Sequence, residues 1–199
     1  MVGVSGASGT PYAASVLRGL FDAGEAVDLI VSRAARLTLL DETGRAFRDA
    51  HWKDDLAAWL GTQITGDVTY WVAGDLAAGP SSGSYPTKGM VVVPASTASV
   101  AGIALGLSKD LLQRVADVTL KERRPLIVVP RETPYTRHTL EHLLALDQMG
   151  AVVLPASPGF YGAPTTVQQL VDFVAGKVLD VIGVEHQLLH RWTGLGGSE

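Results

Sequence analysis

A short apolar run, Leu126–Val129, constrains the fold of this chain more than any other feature. Pro125 precedes the run and enforces an extended backbone where the preceding helical pattern ends. Four consecutive apolar residues without alternation are typical of a strand that is covered on both faces, as in a parallel sheet. Arg131 and Glu132 follow at the carboxyl end of this strand, where open α/β sheets bind their ligands. The pattern therefore predicts an anionic ligand beside an acid–base group at this edge.

Strand and helix patterns alternate along the rest of the chain. Apolar runs predict further strands at Val2–Val4, Val27–Val31, Met90–Val93 and Ala151–Leu154. Thr10 is expected to cap the first helix, with Pro11 at its first position. The alternation predicts one domain over residues 1–199 with an α/β fold, namely a Rossmann-like three-layer α/β/α sandwich around a doubly wound, mostly parallel sheet.

Composition excludes several classes of function. A net charge of −4 gives no sign of polyanion binding, so nucleic acid is a poor candidate partner. The chain has no cysteine, which excludes disulfides and thiol chemistry. No apolar run approaches the length of a membrane span and no signal-peptide pattern opens the chain, so a cytoplasmic protein is expected. The mean hydropathy of +0.22 with 18% charged residues is on the apolar side and indicates surface buried by self-association.

The turn between the first strand and the first helix is rich in glycine. Gly3, Gly6 and Gly9 would let the backbone approach a phosphate at the amino end of the helix, although such turns also serve simple strand–helix packing. Their spacing is G-x-x-G-x-x-G rather than the G-x-G-x-x-G of nicotinamide cofactor sites, and the second strand is followed by Ser32 rather than an acid. A hydroxyl at this position favours flavin mononucleotide (FMN).

Four ordered segments resemble one known family. The sequence from Ala116 to Pro134, ADVTLKERRPLIVVPRETP, is similar to the signature of the UbiX-type flavin prenyltransferases. Ser5–Gly9, Val92–Thr97 and Pro158–Tyr161 resemble the same family in the same order. The resemblance implies an enzyme that joins a dimethylallyl group to N5 and C6 of reduced FMN. It also implies that the prenylated FMN passes to a UbiD-type decarboxylase, and that the enzyme is a homo-oligomer, a dodecamer with sites at subunit interfaces.

The resemblance further implies which residues hold FMN. They lie at or just beyond the carboxyl ends of predicted strands, as one continuous cradle requires: Gly6, Ala7, Ser8, Ser32, Ser96, Thr97, Ala98, Ser99 and Arg131. For the segment from Ser96 to Ser99 the alternative interpretation is a simple helix cap. A cap is compatible both with FMN binding and with a purely structural role.

A second set of residues is implied for the prenyl donor, dimethylallyl monophosphate. Tyr161 and Lys177 would bind its phosphate, with Arg114 and Lys121 as further cations near it. Such cations would stabilise the charge that grows on phosphate as the allylic C–O bond breaks. Lys177 stands where some members of the family carry Arg, so a single charge replaces a two-point contact. Taken singly, Arg114, Lys121 and Lys177 are each also typical of a solvated surface charge.

The resemblance also implies the residues that act on the reaction itself. Glu132 would be the acid–base group and Glu42 a second carboxylate that handles protons, while Lys121 contributes charge. Trp192 would help enclose the prenyl group, and its ring face could stabilise allyl cation character. The alternative interpretations are an ion pair between Glu132 and Arg131, and packing of the tail on the core by Trp192.

No metal is expected in this reaction. Diphosphate prenyltransferases commonly use Asp-rich motifs for Mg²⁺, and the acidic doublets here are only Asp41-Glu42 and Asp54-Asp55. The histidine pairs 138/142 and 186/190 lack the Glu of H-E-x-x-H and a clear third ligand, so ordinary helix residues are expected.

Two other functions remain compatible with the predicted fold. One is an FMN-dependent oxidative decarboxylase of cysteine-derived substrates, although the early catalytic His and the Asn-Met motif of that group do not occur in this chain. The other is a non-catalytic FMN carrier, which would need the cradle but not Glu132, Lys121 and Lys177 together.

Overall fold

The computed structural model describes residues 1–189 and Arg191, and within them the chain forms six strands and seven α-helices. The strands are β1 (Val2–Val4), β2 (Val27–Val31), β3 (Val68–Val72), β4 (Met90–Ala95), β5 (Leu126–Pro130) and β6 (Val152–Val153). The helices are α1 (Thr10–Asp22), α2 (Arg33–Thr43), α3 (Trp52–Leu60), α4 (Thr97–Ala104), α5 (Leu111–Lys121), α6 (Arg137–Gln148) and α7 (Val167–Ile182). Over this described part of the chain, no helix is both long and apolar enough to cross a bilayer.

The strands form one sheet in the order β3-β2-β1-β4-β5-β6, and all of their pairings are parallel. The chain builds outward from β1 through β2 to β3, then returns to the other side of β1 and continues through β4, β5 and β6. The direction of winding therefore reverses between β1 and β4. This switch point is where open α/β sheets bind their ligands, and the topology confirms the predicted doubly wound fold.

Two apolar cores cover the faces of the sheet and make it the middle layer of three. Side chains that alternate along a strand point to opposite faces. In β5, Ile127 and Val129 pack in the core that contains α1, α2, α3 and α7. Leu126 and Val128 pack in the core formed with α4, α5 and α6. All four are fully buried, so the prediction that this run is covered on both faces is confirmed.

The cap predicted for the first helix is wrong by one residue. Thr10 is the first residue of α1, and the N-cap is Gly9, which has a φ of 111° and offers no side-chain cap. Because Gly9 adopts the left-handed region, it turns the chain into the helix without a side chain that could accept from the free N–H groups. A carboxylate from another helix accepts them instead, as described below.

The sequence patterns also predict no strand at Val68–Val72, where the structure has β3. This edge strand is only half buried and its side chains are held by polar contacts. Trp71 Nε1 donates to Asp28 at 2.7 Å, and Tyr70 Oη donates to Asp49 at 2.6 Å. Such contacts come from residues distant in sequence, so the local pattern of β3 carries little signal of its own.

Candidate active site

Four strand–helix junctions meet at the carboxyl edge of the sheet. The turn after β1, Ser32 after β2, Ser96 after β4 and Arg131 after β5 all lie there, together with the amino ends of α1, α2 and α4. Ser32 caps α2 by accepting from Ala35 N at 3.1 Å, and Ser96 caps α4 by accepting from Ser99 N at 3.2 Å. Helix amino ends present donor N–H groups and partial positive charge, so the edge is suited to an anion.

Ser5 ties the two central junctions together. Its side chain is fully buried, and its Oγ donates to the carbonyl of Pro94 at 2.9 Å and accepts from Ser96 N at 2.7 Å. The Ser5 hydroxyl therefore fixes the start of α4 against the end of β1. The sequence analysis assigns no role to Ser5. Its only signal is that it opens the Ser5–Gly9 segment, where a buried hydroxyl at the end of a strand needs partners of this kind.

The turn after β1 lies directly against α2. A Cβ at Gly6 would be 2.4 Å from the Cβ of Ala34, so any larger residue would push the turn and the helix apart. Glycine therefore lets two helix amino ends approach each other at the switch point. This close approach supports the expectation that Gly6 belongs to a cradle in which backbone N–H groups meet a phosphate.

Glu42, in the last turn of α2, accepts the free donors at the amino end of α1. Its two carboxylate oxygens accept from Gly9 N at 2.7 Å, Thr10 N at 2.8 Å and Thr10 Oγ1 at 2.6 Å. Burial opposes ionisation of the carboxyl, but the hydrogen bonds from Ser8, Thr10 and these backbone groups outweigh it and lower the pKa of Glu42. Glu42 is thus an ionised carboxylate that caps α1 from a different helix.

Arg131 has an unused donor at this edge. Its Nε is buried and has no hydrogen-bond partner within the described residues, while its backbone N donates to Ala95 O at 3.3 Å. Burial raises the pKa of Tyr12 and of Tyr135, and the positive charge of Arg131 acts against both shifts, so the two phenols lie near the guanidinium. A buried guanidinium N–H without an acceptor fits an anionic ligand that completes its hydrogen bonds.

Glu132 follows Arg131 but does not pair with it. It is exposed, and its Oε1 accepts from Thr133 N at 3.0 Å. Among the described residues it forms no ion pair with Arg131, so the ion-pair alternative is not what the structure contains. After burial, the negative charge of Glu132 is the next cause that raises the pKa of Tyr135. The carboxylate is therefore available at the rim of the cradle, with Tyr135 as a neighbour that the sequence analysis does not single out.

The structure does not bring Lys121 to this cradle within one chain. Lys121 ends α5, and α5 runs back toward the amino end of β5, so the residue lies near the opposite edge of the sheet. There it forms an ion pair with Glu122, and both side chains lie beside Gly83. Arg124 holds the loop that contains Gly83 by donating to the carbonyls of Gly83 and Tyr85 at 2.8 and 2.9 Å. Arg114, in the first turn of α5, forms an ion pair with Asp117 at 3.1 Å.

Tyr161 and Lys177 belong to a third region. Tyr161 is 61% exposed and its ring meets Phe173 edge-on, with centroids 5.7 Å apart. Together with Leu188 and Leu189 the two rings line a cleft of about 380 Å³. Lys177 follows Phe173 by four residues on α7, and its Nζ lies 3.5 Å from Asp180 Oδ2. The expected role of Trp192 falls outside the described residues, and so does the pair partner of His186 at position 190. Residues 1–189 and 191 hold no group of three or more side chains suited to a metal ion.

An open parallel sheet with an anion-binding cradle at its switch point defines a class of α/β proteins that bind flavins and nucleotides. The model of the Flavoprotein family matches residues 1–179 of this chain. A flavin prenyltransferase UbiX of Streptomyces coelicolor is 66% identical over 209 aligned residues, which cover 100% of this chain and 97% of the relative. The chain therefore belongs to the UbiX flavin prenyltransferases of the Flavoprotein family.

Solved structures agree with this assignment. A UbiX protein in complex with FMN and dimethylallyl pyrophosphate is 34% identical, with a TM-score of 0.86 and coverage of 98% of this chain and 96% of its own. A dodecameric FMN-dependent UbiX-like decarboxylase from Escherichia coli O157:H7 is 39% identical, with a TM-score of 0.85 and 98% of both chains covered. The peptidyl-cysteine decarboxylase EpiD is only 13% identical, with a TM-score of 0.59, so it shares the fold alone.

Replacing Glu42 with Gln should lower the melting temperature of the flavin-free protein at pH 7 by about 2–4 °C. A helix-terminal carboxylate with its hydrogen bonds contributes about 1 kcal/mol at a largely exposed position. Because the folded-state pKa of Glu42 is lowered from 4.5, this contribution is present above the unfolded value and is lost as the pH falls through the folded one. Thermal melts of wild type and variant should therefore converge as the pH falls below the folded-state pKa of Glu42.

The exposed neighbour Asp41, changed to Asn, is the matched control for this experiment. A difference in melting temperature between wild type and Glu42→Gln that is equally large at pH 7 and at acid pH would show that the carboxylate charge is not what stabilises α1.

Proposed function

We propose that this protein transfers the dimethylallyl group of a dimethylallyl phosphate to N5 and C6 of reduced FMN. The observation that carries the proposal is the unused Nε of Arg131 in a cradle of helix amino ends, next to an exposed carboxylate. The relatives support the same chemistry, since one is a flavin prenyltransferase and another was solved with FMN and a prenyl donor.

The cradle residues are proposed to bind the phosphate and ribityl chain of FMN. The phosphate would accept hydrogen bonds from the N–H groups at the amino ends of α2 and α4 and from the guanidinium of Arg131. The turn that lies against α2 would contact FMN through Gly6, Ala7 and Ser8. Polar contacts to FMN would come from the hydroxyls of Ser32, Ser96, Thr97 and Ser99. The small side chain of Ala98 would leave space for the ligand. Bound reduced FMN supplies the nucleophilic nitrogen and carbon, and the chain supplies position and charge.

The donor site is proposed to combine residues from different subunits. Tyr161 and Lys177 would receive the phosphate of the donor. Lys121 would come from a neighbouring copy, because it lies at the far edge of its own sheet, and Arg114 of the same helix would come with it. When the allylic C–O bond breaks, its electron pair goes to the departing phosphate, and these cations stabilise the growing charge. The UbiX complex contains dimethylallyl pyrophosphate. For this chain we propose the monophosphate, because its acidic residues provide no metal-binding motif for a second phosphate.

The two carboxylates are proposed to handle the protons of ring closure, in which the double bond of the N5-bound prenyl group takes up a proton, the resulting tertiary cation bonds to the flavin C6, and C6 loses its proton. Glu132 is exposed at the rim of the cradle and would accept the proton from the flavin C6. Glu42 is already ionised and its oxygens are occupied by α1, so it would act at a distance, exchanging a proton through the hydroxyl of Ser8. Trp192 would enclose the prenyl group. The recipient of the product is proposed to be a UbiD-type decarboxylase, the assembly a dodecamer, and the location in the cytoplasm.

The proposed activity can be tested by one anaerobic assay. The protein, reduced FMN and dimethylallyl monophosphate should yield free phosphate and prenylated FMN in equal amounts, because one C–O bond is broken for each flavin that is modified. The mass of the flavin product measures prenylation, and phosphate release measures cleavage of the C–O bond. Binding of FMN without any product from the monophosphate or the pyrophosphate would support a flavin carrier instead.

Changing Glu132 to Gln should preserve FMN binding and reduce product formation by about 10²-fold or more, the usual scale for a lost acid–base group. The amide keeps the size of the side chain but cannot accept a proton. Flavin titration and single-turnover product formation separate the two effects. Glu141→Gln, an exposed carboxylate of α6, is the control. Wild-type rates in Glu132→Gln would assign proton transfer to a different group.

Co-expression of two inactive variants tests whether the donor site is shared. Glu132→Gln and Lys121→Ala should each be inactive alone. In mixed oligomers with random assembly, about a quarter of the sites would combine an intact Glu132 from one chain with an intact Lys121 from its neighbour. Recovery of about a quarter of the wild-type activity is therefore expected. A site built within one chain would give no recovery in such mixtures.

A further inference from the structure

Asp180 on α7 is the centre of an ionic cluster that the reaction does not use directly. Its Oδ1 lies 2.8 Å from an Arg191 guanidinium nitrogen and 3.2 Å from His186 Nε2, and its Oδ2 lies 3.5 Å from Lys177 Nζ. Burial opposes ionisation, but the hydrogen bonds from Arg191 and His186 lower the pKa of Asp180. One carboxylate thus binds two residues that follow α7 and one residue of α7 itself. The described residues after α7, namely Val184–Leu189 and Arg191, are hereafter called the C-terminal segment.

His186 has a defined orientation in this cluster. Its side chain is only 2% exposed. Its Nδ1 accepts from Leu188 N at 3.1 Å, so the ring proton is on Nε2 and is donated to Asp180. The carboxylate therefore holds the ring, and the ring holds the backbone of Leu188.

Two glycines provide the groove in which the C-terminal segment lies. A Cβ at Gly176 would be 2.6 Å from Leu189 Cδ2 and 2.8 Å from His186 Cε1. A Cβ at Gly19 would be 3.2 Å from Leu188 Cδ1, and 2.5 Å from Leu179 Cδ1 of α7. The segment is thus packed against α7 and α1 at positions where those helices have no side chain. A larger residue at Gly176 would displace the segment, whereas one at Gly19 would first press on α7.

The C-terminal segment forms one wall of the cleft beside Tyr161. Leu188 and Leu189 line this cleft opposite the loop from Gly159 to Pro164 and the ring of Phe173. The two leucines give an apolar surface to the side of the cleft where the donor is proposed to bind, and Gln187 of the same segment adds a polar group. Because Asp180 also attracts Lys177, the same carboxylate sets both the wall and the resting position of the proposed phosphate-binding cation.

We infer that Asp180 is a positioning residue for the prenyl donor, which it affects by holding the C-terminal segment through His186 and Arg191 and by orienting Lys177. The inference rests on the proposed function of the Tyr161 cleft. It gives Asp180 no contact with FMN and no role in bond making. Losing its charge should therefore weaken the use of the donor and leave the flavin site intact.

The test compares Asp180→Asn, Asp180→Glu and the exposed control Asp147→Asn in the oligomeric, FMN-loaded enzyme. Asp180→Asn should raise the KM for dimethylallyl monophosphate about five- to tenfold, while kcat at saturating donor and FMN affinity stay within about twofold of wild type. Hydrogen–deuterium exchange of the peptide containing Leu188 should become faster, with α6 unchanged. Asp180→Glu, which keeps the charge, should have a KM and an exchange rate close to those of wild type.

Each outcome decides the question. An unchanged KM, with or without faster exchange, would overturn the inference, because the C-terminal segment would then have no influence on the donor. A loss of FMN affinity, or of kcat at saturating donor, would overturn it too by indicating general disruption. If wild type itself makes no prenylated FMN, the proposed function fails, whereas a working wild type with an unaffected Asp180→Asn contradicts only the role of Asp180.

Discussion

The parallel pairing of β1 with both β2 and β4 is the constraint on which the site depends. Since the paired strands point the same way, every strand–helix junction of the sheet ends at the same edge. The reversal of winding between β1 and β4 then separates the helices onto two faces and leaves a crevice at the junction. Ser5 spans this crevice with two buried hydrogen bonds. The cradle is therefore a product of sheet topology, and its side chains refine a site that the backbone already provides.

Charge is distributed unevenly among the helix amino ends at this edge. The donors of α1 are satisfied by the Glu42 carboxylate, whereas α2 and α4 are capped by the neutral hydroxyls of Ser32 and Ser96. A phosphate brought to α1 would meet a fixed negative charge, and one brought to α2 or α4 would meet only dipoles and hydroxyls. Arg131 lies close to Gly9 and Tyr12 at the amino end of α1, and its Nε is unused. An anion in the cradle would therefore meet dipoles and hydroxyls on the α2–α4 side and the guanidinium on the α1 side.

The sequence was sufficient for the sheet and insufficient for contacts between distant elements. The apolar runs of β2, β4 and β5 are local patterns, and the structure agrees with them. The partly exposed β3 depends on contacts of Trp71 and Tyr70 with residues of other elements, so its own pattern is weak. Gly9 was mistaken for a position before the cap because the group that replaces the cap, Glu42, is 33 residues away. The cluster at Asp180 is hidden for the same reason, because an aspartate on a helix face has no motif until the chain folds back onto it.

Local carboxylates neutralise the basic residues proposed for the donor site while they are apart. Lys121 pairs with Glu122, Arg114 with Asp117, and Lys177 with Asp180. Gathering several cations around one point without a ligand would be unfavourable because like charges repel at short range. Holding each beside a carboxylate avoids this repulsion in the free chain. In the proposed donor site an incoming phosphate would be a shared partner, and the cations would turn to it only where another subunit brings its α5 to the Tyr161 cleft. On this view assembly and donor binding are coupled, since the site gains its full positive charge only when both the neighbour and the anion are present.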